Sequence, residues 1–254
     1  MRGAVVRFTT EALVIRETSI GESDRLITLL TREMGVIRAY AAGAKSIKSK
    51  KGAATGLLAY SSFTLHKKND TYRVAEASPI KIFFGAGADV VRLTLAQYFC
   101  ELASFIVPAQ VVSEEYLRLI LNSLHFLVVE NREPSLIKAI TELRMAVLAG
   151  YSPSLVACEG CGKFEDDVMF FGLRDGQLYC KDCKTSGELT VPLEPTVLSA
   201  MRHIVFSKFG SLYSFTVPDD AAHRLSDITG RYVTVETEHT YITLNFYNTL
   251  YFPK

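Results

Sequence analysis

The sequence has no segment that is long and apolar enough to span a membrane. Its apolar stretches all stop short of the roughly 20 residues that a membrane-spanning helix needs. Arg7 and Glu11 interrupt the N-terminal segment, where a secretory signal would have its apolar core. We therefore expect a cytosolic protein, in which closely spaced cysteines are interpreted as metal ligands before disulfides.

Motifs of the common enzyme classes are also missing. The chain has no Walker-type or dinucleotide-binding glycine pattern, no HExxH motif and no nucleophile elbow. Its 5 histidines are scattered without the spacing of a metal or catalytic site. Nothing in the sequence recommends catalysis, and we predict a protein that is not an enzyme.

Acidic residues are scarce in the N-terminal third. Residues 1–81 contain 14 lysines and arginines against 7 acidic residues, whereas the other 173 residues contain 14 against 20. The net charge of +1 therefore hides a module of +7 beside a remainder of −6. Within that module, the stretch GAKSIKSKKGAATG at 43–56 has four lysines and no acid. A concentrated positive surface attracts polyanions, of which nucleic acid is the most common.

Residues 11–78 read as five β-strands separated by turn formers, with apolar residues at every second position of the last two. Five short antiparallel strands bury one face most readily by closing into a barrel, and at this size the OB-fold is the usual solution. We therefore predict an α+β protein with an OB-fold domain at 1–82. The predicted strands are EALVIRET, DRLITLLTR, VIRAYAAGA, LLAYSSFTLHK and TYRVAEAS.

The period changes to that of a helix after Gly85–Gly87, which predicts a helical domain at 88–254. Leu95, Phe99 and Leu102 share one face of a helix that Pro108 ends. Ser113 is the expected N-cap of the next helix. Further helices are predicted from Pro134, from Pro195, at 218–229 and near the C-terminus.

Four of the five cysteines have the spacing C-x2-C-x18-C-x2-C, which is typical of a zinc site. Each C-x2-C turn places two thiolates on one side of the backbone, and two turns complete a tetrahedron. A closed site of this kind favours one structural Zn²⁺ within an insert at 155–188, with a hairpin turning at Asp175–Gly176. The fifth cysteine, Cys100, is expected to be a buried apolar residue. The predicted ligands are Cys158, Cys161, Cys180 and Cys183.

The lysine-rich stretch lies between the third and fourth predicted strands, and further cations and aromatic residues occupy the strands beside it. Cations suit phosphates and flat rings suit unpaired bases, so the mixture favours single-stranded nucleic acid bound with little sequence preference. Three alternatives stay open: an RNA-binding OB-fold and zinc-ribbon module, a redox protein that uses the C-x2-C pairs, and a pure interaction scaffold.

Together these segments resemble the RecO family of bacterial DNA-repair proteins. The likeness is carried by TTEALVIRETSIGESDRLITLLTREMGVIRAYAAGAKSIKSK, by GYSPSLVACEGCG followed by YCKDC, and more weakly by ITLNFYNTL. It spans essentially the full chain, and the order of strands, helices and cysteine insert agrees with the interpretation above.

The resemblance implies a recombination mediator in the bacterial cytoplasm, associated with the nucleoid. Proteins of this kind bind single- and double-stranded DNA, anneal complementary strands and load RecA onto DNA coated by single-strand-binding protein (SSB). The implied partners are RecR, the C-terminal tail of SSB and, in some cases, RecF. Carried onto this sequence, the DNA contacts are Arg25, Arg32, Arg38, Lys45, Lys48, Lys50 and Lys51.

Overall fold

The computed structural model describes residues 5–46, 49, 51–84, 89–184 and 189–251. The chain forms two compact units, of which the first comprises residues 1–129 and 242–254 and the second residues 130–241. The domain boundary predicted between residues 82 and 88 falls inside the first unit.

The N-terminal strands close into a barrel with the order β1-β2-β3-β5-β4, and β4 pairs back onto β1. All neighbouring pairs are antiparallel except β3 and β5. This arrangement confirms the predicted five-stranded OB-fold barrel. The strands are β1 (Val6–Ile20), β2 (Asp24–Thr31), β3 (Val36–Ala41), β4 (Ala59–Lys68) and β5 (Thr71–Ile82).

Alternation along the strands separates the barrel interior from its surface. Val14, Leu29, Ala39 and Phe63 are among the buried residues of a single apolar core. The lysine-rich segment between β3 and β4 contributes to this core as well, because Ala44 and Ala54 are buried with it. The segment therefore closes one end of the barrel with its alanines.

Six helices occur in the part of the chain that the structure describes. Two of them pack on the barrel: the first against β1, and the second against both β1 and β2. Among the residues described, none of the helices combines the length and hydropathy needed to cross a bilayer. The helices are α1 (Val90–Ile106), α2 (Glu114–Val128), α3 (Pro134–Leu148), α4 (Pro195–Phe206), α5 (Asp219–Thr237) and α6 (Ile242–Tyr251).

Glu101 of α1 is hydrogen-bonded to the first residues of α6, the last helix of the first unit. Its carboxylate accepts hydrogen bonds from the backbone amides of Ile242 and Thr243, at 3.2 and 3.0 Å. The first amides of a helix have no partner within it, and a carboxylate there also opposes the positive end of the helix dipole. The contact explains why α6 joins α1 although 135 residues separate them (106 to 242).

Ser113 occupies the N-cap position of α2, as predicted, but its side chain does not cap the helix. The hydroxyl donates to the carbonyl of Thr31 at 2.6 Å and accepts from the amide of Gly35 at 3.1 Å. Both backbone groups are buried at the turn between β2 and β3, where an unpaired polar group is costly. The Ser113 hydroxyl therefore satisfies the buried backbone groups of the turn and does not cap the helix.

In the second unit, a buried ion pair joins α3 to α5. Lys138 and Glu142 lie 2.9 Å apart, with side chains 3% and 0% exposed. Lys138 also donates to the carbonyl of Ser226, and the Thr229 hydroxyl donates to Glu142. Gly230 makes room for the pair, since a Cβ there would lie 2.8 Å from the Lys138 ammonium nitrogen. Every member of the network has a partner, which is the condition for tolerating buried charge.

The cysteine-bearing segment of the second unit contains a three-stranded sheet with the order β7-β6-β8. Its strands are β6 (Met169–Gly172), β7 (Leu178–Tyr179) and β8 (Thr190–Leu193). The hairpin between β6 and β7 turns at Asp175–Gly176, as predicted, and Gly176 has a φ of +65°. Phe171 packs edge-on against Tyr232 of α5 at a ring separation of 5.2 Å, which fixes the sheet to the helices.

Two glycines with the same backbone conformation allow steric cost to be separated from backbone strain. Gly35 has a φ of +64°, and a Cβ there would lie 1.9 Å from the carbonyl oxygen of Pro108. Gly21 has a φ of +56° and nothing within 4 Å of that position. We expect Gly21→Ala to lower the free energy of unfolding by about 1 kcal/mol through strain alone. Gly35→Ala should cost roughly 3 kcal/mol or more. Equal losses in chemical denaturation would contradict the close approach of residues 35 and 108.

Candidate nucleic-acid interface and metal centre

Two arginines flank Thr28 on the outer surface of the barrel. Arg16 on β1 pairs with Thr28 on β2, and Thr28 pairs with Arg38 on β3. Directly paired residues point to the same face of a sheet, so Arg16 and Arg38 lie side by side about 10 Å apart, two strand spacings. Both are exposed and have no ion-pair partner among the described residues. Their charges are available to a ligand.

Arg73 extends this row onto β5. It pairs with Tyr40 of β3, and its guanidinium lies 5.8 Å from the centre of the Tyr40 ring. Tyr40 stands two residues beyond Arg38 on the same strand face. We call Arg16, Arg38, Tyr40 and Arg73 the basic face. Its residues lie on β1, β3 and β5, and Thr28 of β2 lies between Arg16 and Arg38. The face thus includes the outer surface of the second and third strands, which is the usual ligand surface of an OB-fold.

Arg16 is absent from the predicted contacts because of a β-bulge. The register of β1 against β2 shifts between Val14 and Arg16, so Ile15 is an extra residue and the alternation is interrupted. Without the bulge, Arg16 would share the inward face of Val14. In the sequence, only the arginine directly after the apolar run at 12–15 hinted at this.

Arg25 and Arg32 lie at opposite ends of β2, separated by about 23 Å of extended strand. Arg25 points to the barrel end that carries the lysine-rich segment; its Nε lies 2.9 Å from Oε1 of Glu17, and its side chain is 18% exposed. Arg32 lies beyond the far end, 2.8 Å from Glu11, and both side chains are close to half exposed. Glu11 also raises the pKa of Arg32. Both arginines stay predicted DNA contacts, each beside a carboxylate.

We call residues 42–58 the lysine loop. Lys45 is exposed and Lys51 is half-buried, and both have no ion-pair partner among the described residues. Lys48 and Lys50 lie outside the described residues. The loop begins directly after β3, so it adjoins the end of the basic face at Tyr40. Arg38 thus lies opposite Thr28 near the middle of β2, with Arg25 and the lysine loop toward one end of that strand and Arg32 beyond the other.

A cavity of about 500 Å³ lies at the other side of the basic face, around the turn between β4 and β5. Besides Val5, polar and basic residues line it: His66, Lys68, Asn69, Thr71 and Arg73. Arg73 belongs to both the cavity and the basic face. The positive surface therefore extends from the lysine loop across β3 and β5 to this turn.

The second unit brings the four predicted metal ligands together. The sulfurs of Cys158, Cys161, Cys180 and Cys183 all lie within 4.8 Å of one another. Those of Cys161 and Cys180 are 3.6 Å apart. A zinc–sulfur bond of about 2.3 Å places the sulfurs of a tetrahedral site about 3.8 Å apart, so the spacing fits such an ion.

Backbone hydrogen bonds prepare the sulfurs for a cation. Although burial opposes ionisation, the amides of Cys180, Cys161 and Gly160 lower the pKa of the Cys158 thiol to about 6. The neighbouring thiol groups raise the pKa of Cys183 to about 12. Like charges this close cannot all ionise unless a cation lies between them, which a bound metal would supply.

Gly160 is required by the geometry of the first C-x2-C turn. A Cβ at this position would lie 2.9 Å from both Cβ and Sγ of Cys183. Gly162 has a φ of +73°, and its amide closes the turn onto the carbonyl of Cys158 at 2.8 Å. The fifth cysteine, Cys100, is 2% exposed in α1, and burial raises its pKa to about 12. It is therefore a buried apolar residue, as predicted.

Comparison with known proteins assigns both parts of the chain to one family. Residues 1–83 match the family described as Recombination protein O N terminal, and residues 87–243 match Recombination protein O C terminal. The DNA repair protein RecO of Acetivibrio thermocellus is 32% identical over 241 residues, which cover 95% of this chain and 96% of the relative. Those of Symbiobacterium thermophilum and Caldicellulosiruptor bescii are 27% and 26% identical, with at least 94% of each chain covered. The chain belongs to the RecO family of DNA repair proteins.

Proposed function

We propose that this protein is a recombination mediator that binds single- and double-stranded DNA and anneals complementary strands without a catalytic site. The observation that carries the proposal is the basic face with the adjoining lysine loop. Its exposed arginines have no carboxylate partner among the described residues, whereas Arg25 and Arg32 do. A surface of this kind binds phosphates without reading bases, which annealing requires.

Charge neutralisation is the proposed mechanism of annealing. Two complementary strands repel each other through their phosphates, and a protein that displaces their counterions lowers that repulsion. Base pairing then supplies the driving force. The guanidinium of Arg73 lies near the Tyr40 ring, and the Tyr40 hydroxyl donates a hydrogen bond to Asp24. The ring is therefore already held by other residues, and the basic face offers phosphate contacts more than surfaces for base stacking. Bases held loosely in this way stay available for pairing.

The proposed setting is the bacterial cytoplasm, with RecR, the C-terminal tail of SSB and RecF as partners in loading RecA. Family membership supports these partners. An RNA-binding role is the alternative, since phosphate contacts occur with either polymer and only a contact to the 2′-hydroxyl distinguishes them. An annealing assay on complementary oligonucleotides coated with SSB tests the proposal directly. Tighter binding to RNA than to DNA of equal length, without annealing, would favour the alternative.

We further propose that the four cysteines bind one structural Zn²⁺. The sulfur spacing supports it, and so does the position of the ligands in a segment that packs on α5 through Phe171 and Tyr232. Four thiolates leave no coordination position for a substrate, so the metal would stabilise the second unit and do no chemistry.

The lysine loop can be tested through the salt dependence of DNA binding. Replacing Lys45, Lys48, Lys50 and Lys51 by alanine should reduce the slope of log K against log[salt] by roughly 0.7–0.9 for each lysine that contacts a phosphate. The control is Lys208→Ala with Arg224→Ala, two exposed cations of the second unit, which should leave the slope unchanged. An equal slope for both variants and the wild type would refute the assignment.

The metal can be tested by its stoichiometry and by thermal unfolding. Cys158→Ser should abolish the single zinc per chain and lower the unfolding temperature, because a structural site contributes folding free energy. Cys100→Ala should keep the metal. Binding to a short oligonucleotide should change little in Cys158→Ser, since the basic face belongs to the first unit. A metal-free protein with an unchanged unfolding temperature would be inconsistent with a structural role.

A further inference from the structure

One carboxylate and a neighbouring backbone carbonyl hold the beginning of the lysine loop. Oδ1 of Asp24 accepts a hydrogen bond from the amide of Gly43 at 2.7 Å, and the Tyr40 hydroxyl donates to Oδ2. The neighbouring carbonyl of Ser23 accepts from the amide of Lys45 at 2.8 Å. The first residues of the loop are thus tied to the turn between β1 and β2.

A second carboxylate holds the end of the loop. Oε2 of Glu17 accepts from the amide of Leu57 at 2.9 Å, while Oε1 pairs with Arg25. Arg25 in turn donates to the carbonyl of Gly52 at 2.7 Å and to the hydroxyl of Thr55 at 3.0 Å. The guanidinium therefore bridges Glu17 to the loop backbone.

These carboxylates oppose the charge of the surface in which they lie. A negative charge beside lysines and arginines lowers the potential that attracts DNA, and on charge alone its removal should tighten binding. Glu22 shows the contrast: it is exposed in the same turn and has no hydrogen-bond or ion-pair partner among the described residues. Asp24 and Glu17 differ from it in that every contact named here leads to the loop or to its neighbouring strands.

We propose that Asp24 and Glu17 are positioning residues that hold the two ends of the lysine loop so that Lys45 and Lys51 contact the same DNA backbone as the basic face. The inference rests on the proposed DNA-binding function and deepens it. Arg25, predicted from the sequence as a DNA contact, acts here through the loop.

The advantage of such anchors is preorganisation. A lysine on an untethered loop loses conformational freedom when it binds a phosphate, which reduces the net gain in affinity. Anchoring both ends lowers that loss before DNA arrives. The hydrogen bonds of Gly43, Tyr40 and Ser23 also lower the pKa of Asp24, in that order of effect, so the carboxylate stays ionised at neutral pH.

Two substitutions of equal charge separate positioning from electrostatics. Asp24→Asn removes the charge but keeps an oxygen that accepts from Gly43, whereas Asp24→Ala removes both. We expect Asp24→Ala to bind a fluorescent single-stranded oligonucleotide about fivefold more weakly than Asp24→Asn at 0.1 M salt, the effect of losing about one phosphate contact. Asp24→Asn should bind at least as tightly as the wild type. Equal affinity of the two variants would overturn the proposal.

Glu22 provides the matched control, because Glu22→Ala and Glu22→Gln should bind alike. Glu17→Ala and Glu17→Gln repeat the comparison at the other end of the loop if Asp24→Ala does not fold, and Glu17→Ala should be the weaker binder. Indistinguishable affinities for this second pair would likewise overturn the proposal.

A double-mutant cycle keeps the two proposals separable. In a protein whose four loop lysines are already alanine, Asp24→Ala and Asp24→Asn should bind alike, because the two variants have the same charge and positioning acts only through the lysines. If the lysine variant binds DNA like the wild type, the proposed function of the loop fails. If it binds weakly but Asp24→Ala still binds more weakly than Asp24→Asn by the same factor as in the wild-type loop, only the positioning role fails.

Discussion

Closure of the N-terminal sheet is the constraint on which the rest of the first unit depends. A barrel of five strands has an interior that side chains fill completely, and here that interior is apolar. Charged residues of the strands must therefore point outward or lie at the ends. Part of the outer surface is covered by α1 and α2, where Leu13 and Leu30 are buried. The basic face occupies strand surface that the helices leave open.

The lysine loop shows how one segment meets two physical demands. Its alanines enter the core and its lysines carry the charge, so the spacing of small and cationic residues in GAKSIKSKKGAATG suits packing as well as the proposed binding. The carboxylates of Asp24 and Glu17, which accept hydrogen bonds from the two ends of the loop, also have two opposing effects. They reduce the positive potential of the surface and in return fix where the remaining charges lie. A net charge of a module is accordingly a poor measure of the charge that a ligand meets.

The features that could be predicted from the sequence are those that depend on a local pattern of residues. Alternation predicted the strands, and the spacing of the four cysteines predicted that their sulfurs cluster, because a C-x2-C turn places its sulfurs whatever surrounds it. Features set by pairing between elements could not be read in this way. The bulge that turns Arg16 outward, the carboxylate beside Arg25 and the buried carbonyl that accepts from Ser113 each depend on a partner in another element of the fold. An arginine in a basic segment looks the same in the sequence whether it faces solvent or a glutamate.

The hydroxyl of Ser113 and the covered outer leucines have a consequence for how the chain can be divided. The family descriptions meet between residues 83 and 87, which suggests a fragment ending there as a convenient object of study. Such a fragment would expose Leu13 and Leu30 to water and leave the turn at Gly35 without its donor and acceptor. Self-association, not weak activity, is the behaviour to anticipate from it. A fragment that keeps the first unit intact needs residues up to 129, together with the terminal helix to which Glu101 is hydrogen-bonded.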